Sequence, residues 1–392
     1  MMPHDPLYLA FSDEEYSRRN RQVRERMDRM GVSTLLLYGG RGTNPEIHYL
    51  SNWFTTTQAH LIFPRQGAST LFVQLSNHLP NAKRMSVVED VRFGGSSPTG
   101  SVDSIPIVIE NLKERGLESD RLGIVGGIPY QQYQRLREAL PRMECVDFSA
   151  EMRSQRQIKS EEEIERIRKA AAMSDRSVAA LVEHARPGIR EPELAKIVED
   201  AYLGEGGLNV IHFMITTSMH DPKGGVPQQH MSQRVLKKGD VLVTEISANY
   251  FGYSGQILRT FTIGEEPTPL YQRLHAAAME AFERVAAVIK DGTDLEQVLD
   301  AAEVVHERGF TIYDDFLHGA NQLAPILRTR RTSRGAPQGF RFRTDSCLVI
   351  QPNVVTEDAM AGVQFGEMFR VTETGLETLH NCPRKLFVCR KG

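Results

Sequence analysis

A carboxylic acid and an amide occupy neighbouring strands of one predicted hairpin. Residues 241–246 have the apolar, β-branched pattern of a strand, residues 257–263 that of the returning strand, and residues 249–255 form a loop rich in glycine and aromatic residues. Because side chains alternate between the two faces of a strand, we expect Glu245 and Gln256 to point into one shared pocket. A carboxyl group of this kind can transfer protons.

The hairpin resembles the metal-binding hairpin of the pita-bread family, which includes aminopeptidase P, prolidase, methionine aminopeptidase and creatinase. In the metallopeptidase members, aspartates stand at the positions of Glu245 and Gln256, eleven residues apart. The GY pair at 252–253 and the RT pair at 259–260 match the family as well. The spacing is therefore that of the family, whereas the two aspartates are absent.

Three later segments extend the resemblance. Residues 316–322 (FLHGANQ) resemble FxHGxxH, residues 349–353 (VIQPN) resemble TxEPG, and residues 362–367 (GVQFGE) resemble GVRIED. In the family, the second His and the two glutamates of these segments bind metal. Their positions are occupied here by Gln322, Gln351 and Gly366.

These substitutions remove most of the charge that a pair of divalent cations requires. Carboxylates and imidazole supply negative charge and lone pairs, whereas neutral amides bind such ions poorly. With only Glu245 left as a carboxylate, we expect no dinuclear metal site and no cofactor. Glu367 lies one residue beyond the family's position and would face the other side of the strand unless the register slipped. We include it among the candidate substrate contacts.

Histidines are the second group of candidates, because imidazole has a pKa near neutrality. Within the family, creatinase works without metal and uses a His as acid and base on a C–N bond. Without gaps, that His falls on Gln228, so a gap is needed to bring His220 or His230 into place. His318 aligns without a gap. The alternatives are solvated loop residues for the first two and a hydrogen bond to a strand carbonyl for His318.

The candidate substrate contacts indicate a small polar molecule. Creatinase's two guanidinium-binding carboxylates fall on Leu258 and Gln351, so we do not expect guanidinium hydrolysis. Three glutamines suit a neutral amide, a lactam or a carboxylated substrate. Arginines are frequent between residues 328 and 343, and Arg328 is the candidate for a substrate carboxylate; the alternative is a solvated loop. The full candidate set for substrate binding is Gln256, Gln322, Gln351, Arg328, Tyr253, Trp53 and Glu367.

The composition is that of an ordinary soluble protein of about two domains. The chain has 392 residues, 40% of them hydrophobic, and a net charge of −3, which gives no sign of a nucleic-acid or membrane surface. No apolar run approaches the ~20 residues needed to cross a bilayer, and the N-terminus lacks the basic start of a signal peptide. We therefore expect a cytoplasmic protein with a small-molecule substrate. The four cysteines lack CxxC spacing.

The chain is expected to divide near residue 156. Residues 1–156 alternate strands and helices, which predicts an α/β domain, beginning with a helix between Ser12 and Gly31. Residues 153–159 are predicted to form a polar connection. The capping box at Ser160 then opens a long helix, and IKSEEEIERIRKAA resembles the start of the family's catalytic domain. The resemblance implies an α+β pita-bread domain over 157–392 and a homodimer in which Trp53 reaches over the neighbouring subunit's pocket.

Our first hypothesis is a metal-independent, creatinase-like hydrolase or lyase. It would act on a C–N or adjacent bond, with proton transfer shared by Glu245 and one of His318, His220 or His230. The second is a binding module that retains the pocket without activity. The third is a metallopeptidase similar to the Xaa-Pro aminopeptidases.

Overall fold

The chain forms two compact units, Met1–Arg156 and Gln157–Gly392. The computed structural model describes residues 4–40, 45–96, 103–118, 121–333, 335 and 337–390, without the side chains of residues 210, 211 and 322.

The first helix begins and ends where its capping residues predict. The Ser12 hydroxyl accepts a hydrogen bond from the Glu15 amide, and Gly31 takes the left-handed conformation (φ 63°) that closes the last turn. The helix spans Asp13–Met30 and buries one face, which includes Val23 and Met27. Local chemistry thus defines both ends, and burial of the apolar face stabilises the helix between them.

The first unit is an α/β domain built on one mixed sheet. Its strands are β1 (Thr34–Gly39), β2 (Ala59–Pro64), β3 (Thr70–Val73), β4 (Asp90–Phe93), β5 (Arg121–Val125) and β6 (Glu144–Asp147). The strand order is β4-β3-β2-β1-β5-β6, with β1 parallel to β5 and antiparallel to β2. Its helices are α1 (Asp13–Met30), α2 (Pro45–Ser51), α3 (Leu79–Met85), α4 (Ile105–Glu114), α5 (Tyr130–Ala139) and α6 (Ser149–Gln157).

Helix α6 corrects the prediction of an irregular connection over 153–159. The Ser149 amide donates to the Asp147 carboxylate at the helix start, at 2.8 Å. Met152, Gln155 and Arg156 are buried at helical spacing. The sequence pattern missed this helix because only one member of the buried stripe is apolar.

The second unit combines two sheets with five helices among the residues that the structure describes. The strands are β7 (Leu208–Ser218), β8 (Asp240–Tyr250), β9 (Tyr253–Ile263), β10 (Thr311–Ile312), β11 (Leu317–Gly319), β12 (Leu323–Leu327), β13 (Cys347–Ile350), β14 (Asn353–Val355), β15 (Gly362–Gln364), β16 (Gly366–Val371), β17 (Leu376–Thr378) and β18 (Phe387–Cys389). The larger sheet has the order β12-β11-β13-β16-β9-β8-β7, with β17 pairing on β16 and β18 on β9. The smaller sheet has the order β10-β14-β15. The helices are α7 (Glu161–His184), α8 (Glu191–Asp200), α9 (Pro269–Val288), α10 (Leu295–Ala302) and α11 (Val304–Glu307).

The predicted hairpin is present, with a tighter turn than expected. Strands β8 and β9 pair in full from Val241–Thr262 to Tyr250–Tyr253. Only Phe251 (φ 50°) and Gly252 (φ 85°) lie between them, both left-handed, as a two-residue hairpin turn requires. The predicted loop over 249–255 is therefore mostly strand, because Asn249 accepts a hydrogen bond from the Gly252 amide and pairs with Ser254.

Helix α7 packs directly on the backbone of this hairpin. A Cβ atom at Gly255 would lie 2.0 Å from the Ala171 amide nitrogen, so only glycine permits this approach. The Ser174 hydroxyl donates to the Gly255 carbonyl and accepts from the Ala248 amide, which ties the helix to both strands. The hairpin that holds Glu245 and Gln256 is thus rigidly supported. No helix in the described ranges of the chain has the length and apolarity needed to span a membrane.

Candidate active site

Strands β8 and β9 bring Glu245 and Gln256 together. Glu245 pairs with Leu258 and Ser247 pairs with Gln256, so the side chains of these four residues share one face of the sheet. The Gln256 Nε2 atom donates to Glu245 Oε1 at 3.1 Å. The hairpin therefore supplies a carboxyl group held by an amide.

Gln351 extends this contact. It follows β13, and its backbone amide donates to the Phe316 carbonyl at 2.7 Å. Its Oε1 atom accepts from Gln256 Nε2 at 2.7 Å, and its Nε2 atom donates to Asp315 Oδ2 at 3.1 Å. Glu245, Gln256, Gln351 and Asp315 thus form one hydrogen-bonded series, which we name the carboxyl–amide chain.

The two carboxyl groups at the ends of the carboxyl–amide chain have raised pKa values. Burial raises the pKa of Glu245 to about 8, and the charges of Asp315 and Asp314 add to the effect. Burial and the charge of Asp314 raise the pKa of Asp315 to about 7. Both groups therefore change protonation state near neutral pH, as acid–base residues do.

Asp315 is the residue that sequence reasoning missed. It lies three positions before His318, just outside the segment that resembles FxHGxxH. The resemblance to the family assigns no role to its position. The available signal was the Asp-Asp pair at 314–315 immediately before that segment, which becomes meaningful only once the path of the loop is known.

His318 lies next to the carboxyl–amide chain on β11. Its Nδ1 atom is 2.9 Å from the Gly319 carbonyl oxygen, which is the contact expected of a structural histidine. Burial lowers its pKa, although hydrogen bonds to Gly319 and to Gln351 oppose the shift. A neutral imidazole is therefore favoured at pH 7, beside Gln351.

Arg328 lies at the acidic end of the same region. Its guanidinium is 3.3 Å from Asp314 Oδ1, and its side chain is 34% exposed. Its charge lowers the pKa of Asp315, against the effect of burial. A cation near the carboxyl–amide chain is thus available to a substrate carboxylate that displaces Asp314.

Glu367 lies on the opposite face of the sheet. It pairs with Ile257, whereas Gly366 pairs with Leu258 on the face that holds Glu245. Its carboxylate binds Arg259 at 2.7 Å and Arg384 at 2.6 Å. The register did not slip, so Glu367 is turned away from the carboxyl–amide chain and does not fit a substrate contact.

Tyr253 and Trp53 are both buried. Tyr253 lies on β9 in the opposite phase to Gln256, and its hydroxyl donates to Glu163 Oε1 at 2.9 Å. Trp53 follows α2 in the first unit and is 5% exposed. Neither placement assigns a substrate contact.

Two of the candidate histidines lie elsewhere on the second unit. His220 is exposed, and its Nε2 atom is 3.0 Å from Glu265 Oε1 beyond the end of β9. His230 is exposed in a surface depression that it shares with Asn209 and His212. The remaining candidate, Gln322, ends a short 3-10 helix after β11, and its side chain is outside the described part of the chain.

The donor set does not fit a pair of divalent cations. At the family's ligand positions, Gln256 directs its amide nitrogen towards Glu245, and Gln351 directs its amide nitrogen towards Asp315. Glu245 is the carboxyl group that remains at these positions. Gly366 has no room for a side chain, because a Cβ atom there would lie 2.3 Å from the Ile350 carbonyl oxygen. Among the described residues, no group of three or more His, Cys, Asp or Glu side chains is placed to hold a metal ion.

Two family models match the chain. The model of the Creatinase/Prolidase N-terminal domain matches residues 19–158. The model described as metallopeptidase family M24 matches residues 165–373, which is more than half of the chain. This chain belongs to metallopeptidase family M24. The match confirms both the predicted resemblance and the two-domain fold of the pita-bread family.

Individual relatives agree with this assignment. "Uncharacterized hydrolase/peptidase y4tL" of Sinorhizobium fredii is 26% identical over 390 residues, 97% of this chain and 98% of the relative. "Probable dipeptidase PepE" of Mycobacterium bovis is 30% identical over 242 residues, 60% of this chain and 62% of the relative. The crystal structure of an X-Pro aminopeptidase from Thermotoga maritima MSB8 matches with a TM-score of 0.80 at 20% identity, covering 94% of this chain and 99% of that one.

These M24 relatives are hydrolases and peptidases, and they support the prediction that the chain is an enzyme of hydrolase type. The expected homodimer and cytoplasmic location stay predictions.

Proposed function

We propose that this M24 chain hydrolyses the amide C–N bond of a small, dipeptide-sized substrate. The observation that carries the proposal is the environment of Glu245. Its carboxyl group is half-buried, accepts a hydrogen bond from Gln256, and has a pKa raised to about 8. At pH 7 such a group is mainly protonated and has a proton to give to a leaving nitrogen.

The relatives favour a peptide-like substrate over a creatinase-like one. The relative with 30% identity has the name of a dipeptidase, and the relative that matches nearly the whole chain has the name of a hydrolase/peptidase. Together with the name of a third relative, "Xaa-Pro dipeptidase" of Pyrococcus horikoshii, these names support the Xaa-Pro peptidase alternative better than a metal-independent creatinase-like enzyme. We therefore include Xaa-Pro dipeptides among the substrates of the proposal.

The residues around Glu245 support binding of an amide. Gln256 and Gln351 provide both donors and acceptors, which a neutral peptide group can pair with. Arg328 provides a guanidinium for the free carboxylate at the end of a dipeptide, in competition with Asp314. The neutral imidazole of His318 lies against Gln351 and helps to hold its amide in place.

We assign no step of the reaction to a metal ion, because the side chains of the described residues do not provide the ligands that a pair of divalent cations needs. Hydrolysis by the chain's own residues requires proton transfer at two atoms, the attacking water and the leaving nitrogen. Because the Glu245 carboxyl group is mainly protonated at neutral pH, it donates its proton to the leaving nitrogen.

The test is hydrolysis of a panel of small amides by the purified full chain. The panel contains Ala-Pro, Gly-Pro, Ala-Ala and the C-terminally amidated form of each, followed by detection of the released amine. We expect at least one free dipeptide to be cleaved, with activity unchanged after dialysis against EDTA and lost in Glu245→Gln. Metal analysis of the same preparation is the second measurement.

Two outcomes would overturn the proposal. Stoichiometric binding of two divalent cations together with loss of activity in EDTA would establish a metallopeptidase. Thermal stabilisation by a dipeptide without any cleavage would establish a binding module.

A further inference from the structure

Asp315 is a carboxyl group that the family resemblance does not assign to any role. It is half-buried, and it ends the carboxyl–amide chain opposite Glu245. Its backbone carbonyl accepts from Asn353 Nδ2 at 2.9 Å and from Gln351 Nε2 at 3.3 Å. The side chain is therefore positioned by contacts at both its carboxylate and its backbone.

The loop before Asp315 is fixed as well. Asn353 Oδ1 accepts hydrogen bonds from the amides of Tyr313 and Asp314, each at 2.8 Å. Asn353 thus holds three consecutive residues of the loop against the end of β13. Such preorganisation is expected of an acid–base residue, which must be held within a narrow geometry.

Other buried carboxylates of the second unit have strong partners. Asp240 binds Arg234 at 2.6 Å, and Glu191 accepts from the hydroxyl groups of Thr216 and Ser232. Asp315 accepts from a neutral amide, while the guanidinium of Arg328 pairs with Asp314. A structural role alone does not explain a carboxyl group placed in this way.

We propose that Asp315 is the second acid–base residue of this site, acting on water while Glu245 acts on the leaving nitrogen. The proposal rests on the proposed amide hydrolysis. Gln256 and Gln351 lie between the two carboxyl groups, and the Gln351 donor favours an ionised acceptor at Asp315.

The reaction balances with these two groups. The ionised Asp315 carboxylate takes a proton from water as the water oxygen bonds to the carbonyl carbon. Protonated Glu245 gives its proton to the nitrogen as the C–N bond breaks. The products are a carboxylic acid and an amine, and one proton must return through solvent from Asp315 to Glu245 before the next cycle.

Several charged or titratable groups face this pair and set its protonation. Glu245 comes from β8, and Asp314 precedes Asp315 on the same loop. His318 faces the region from β11, and Arg328 from the end of β12. Burial raises the pKa of both carboxyl groups, and the charge of Arg328 lowers the pKa of Asp315, so the productive state has Glu245 protonated and Asp315 ionised.

The test compares Asp315→Asn with Asp314→Asn, which removes the same charge one residue away. With the dipeptide of the panel that wild type cleaves best, we expect Asp315→Asn to lower kcat about 10²- to 10⁴-fold with little change in KM. It also removes the acidic limb of the pH profile. Asp314→Asn keeps both limbs and loses less than about tenfold, and Asp315→Glu restores part of kcat. Equal losses in the two Asn variants, with an unchanged pH profile, would overturn the proposal.

A second measurement needs no substrate. In protein labelled with ¹³C at the aspartate carboxyl carbons, we expect one resonance of wild type to titrate with a pKa of about 7. This resonance titrates at a lower pKa in Asp314→Asn, because the charge of Asp314 is gone, and it is absent from Asp315→Asn. If an aspartate titrates in this way but the protein has no amidase activity, the proposed hydrolysis is refuted. Asp315 is then still identified as a residue that exchanges a proton near neutral pH. The absence of such a resonance in wild type would refute the role of Asp315.

Discussion

Two glutamates lie on opposite faces of the same sheet and have opposite surroundings. Glu367 on β16 is 1% exposed and binds the guanidinium groups of Arg259 and Arg384. Glu245 on β8 is half-buried and accepts a hydrogen bond from the amide of Gln256. Burial by itself raises the pKa of both carboxyl groups.

The difference between them is the presence of cations. At Glu367, hydrogen bonds and charge from the two arginines outweigh burial and lower the pKa. At Glu245, the charged neighbours are Asp315 and Asp314, so the pKa rises to about 8. One glutamate is therefore a fixed anion that holds the sheet to the C-terminal segment, whereas the other keeps a transferable proton.

The largest expected effect is on stability, at Glu367. Glu367→Gln leaves the buried Arg259 guanidinium without its anion, which costs about 3–5 kcal/mol in the free energy of unfolding. Urea unfolding measures it. Glu357→Gln, the same change at an exposed glutamate, is the control and is expected to cost less than about 0.5 kcal/mol. Equal stability of the two variants would show that the Arg259 pair contributes nothing.

Glu245→Gln is expected to affect activity much more than stability. Below about pH 4.5, where the Glu245 carboxyl group is protonated in both the folded and the unfolded chain, the amide is expected to change the free energy of unfolding by less than about 1 kcal/mol. The kcat for the cleaved dipeptide falls about 10²- to 10⁴-fold. Steady-state kinetics and urea unfolding on one preparation give both values. A stable variant with full activity would contradict the role of Glu245.

The two glutamates also predict opposite pH dependences of stability. The native pKa of Glu245 lies above its ordinary value of 4.5, so its contribution is complete below about pH 4.5 and is lost as the pH rises through about 8. The native pKa of Glu367 is lowered, so its contribution is present above about pH 4.5 and is lost as the pH falls through the native pKa.

Urea unfolding at several pH values measures this difference. Between pH 5 and pH 8, we expect wild type to lose up to about 1.4 kcal/mol per pH unit relative to Glu245→Gln. A difference between the two proteins that stays constant over this range would show that the pKa of Glu245 is not raised.

The smallest expected effect is at Arg328. Arg328→Ala removes a partly exposed ion pair with Asp314, which contributes less than about 1 kcal/mol to stability. For a dipeptide with a free carboxylate, KM is expected to rise about tenfold, and for its amidated form to stay unchanged. Arg343→Ala, at a side chain that is 74% exposed, is the control. A similar rise in KM for both substrates would rule out carboxylate recognition by Arg328.

Residue types and their spacing were enough to predict most elements and the chemistry at the family positions. The Ser12 and Gly31 caps define α1, and the spacing of Glu245 and Gln256 places both on one face of a hairpin, because period and capping are local properties. The loss of the ligand carboxylates was readable from residue types alone. Helix α6 was not, because its buried face is largely polar.

Which of these groups contact one another could not be predicted from local sequence and follows from how distant segments pack. Asp315 joins Gln351 because Asn353 and Gln351 hold a loop whose path no local pattern specifies. Glu367 faces Arg259 and Arg384 because the register of β16 on β9 puts Gly366, not Glu367, beside Leu258. Contacts between distant segments depend on register and loop path, and these are set by packing of the whole domain.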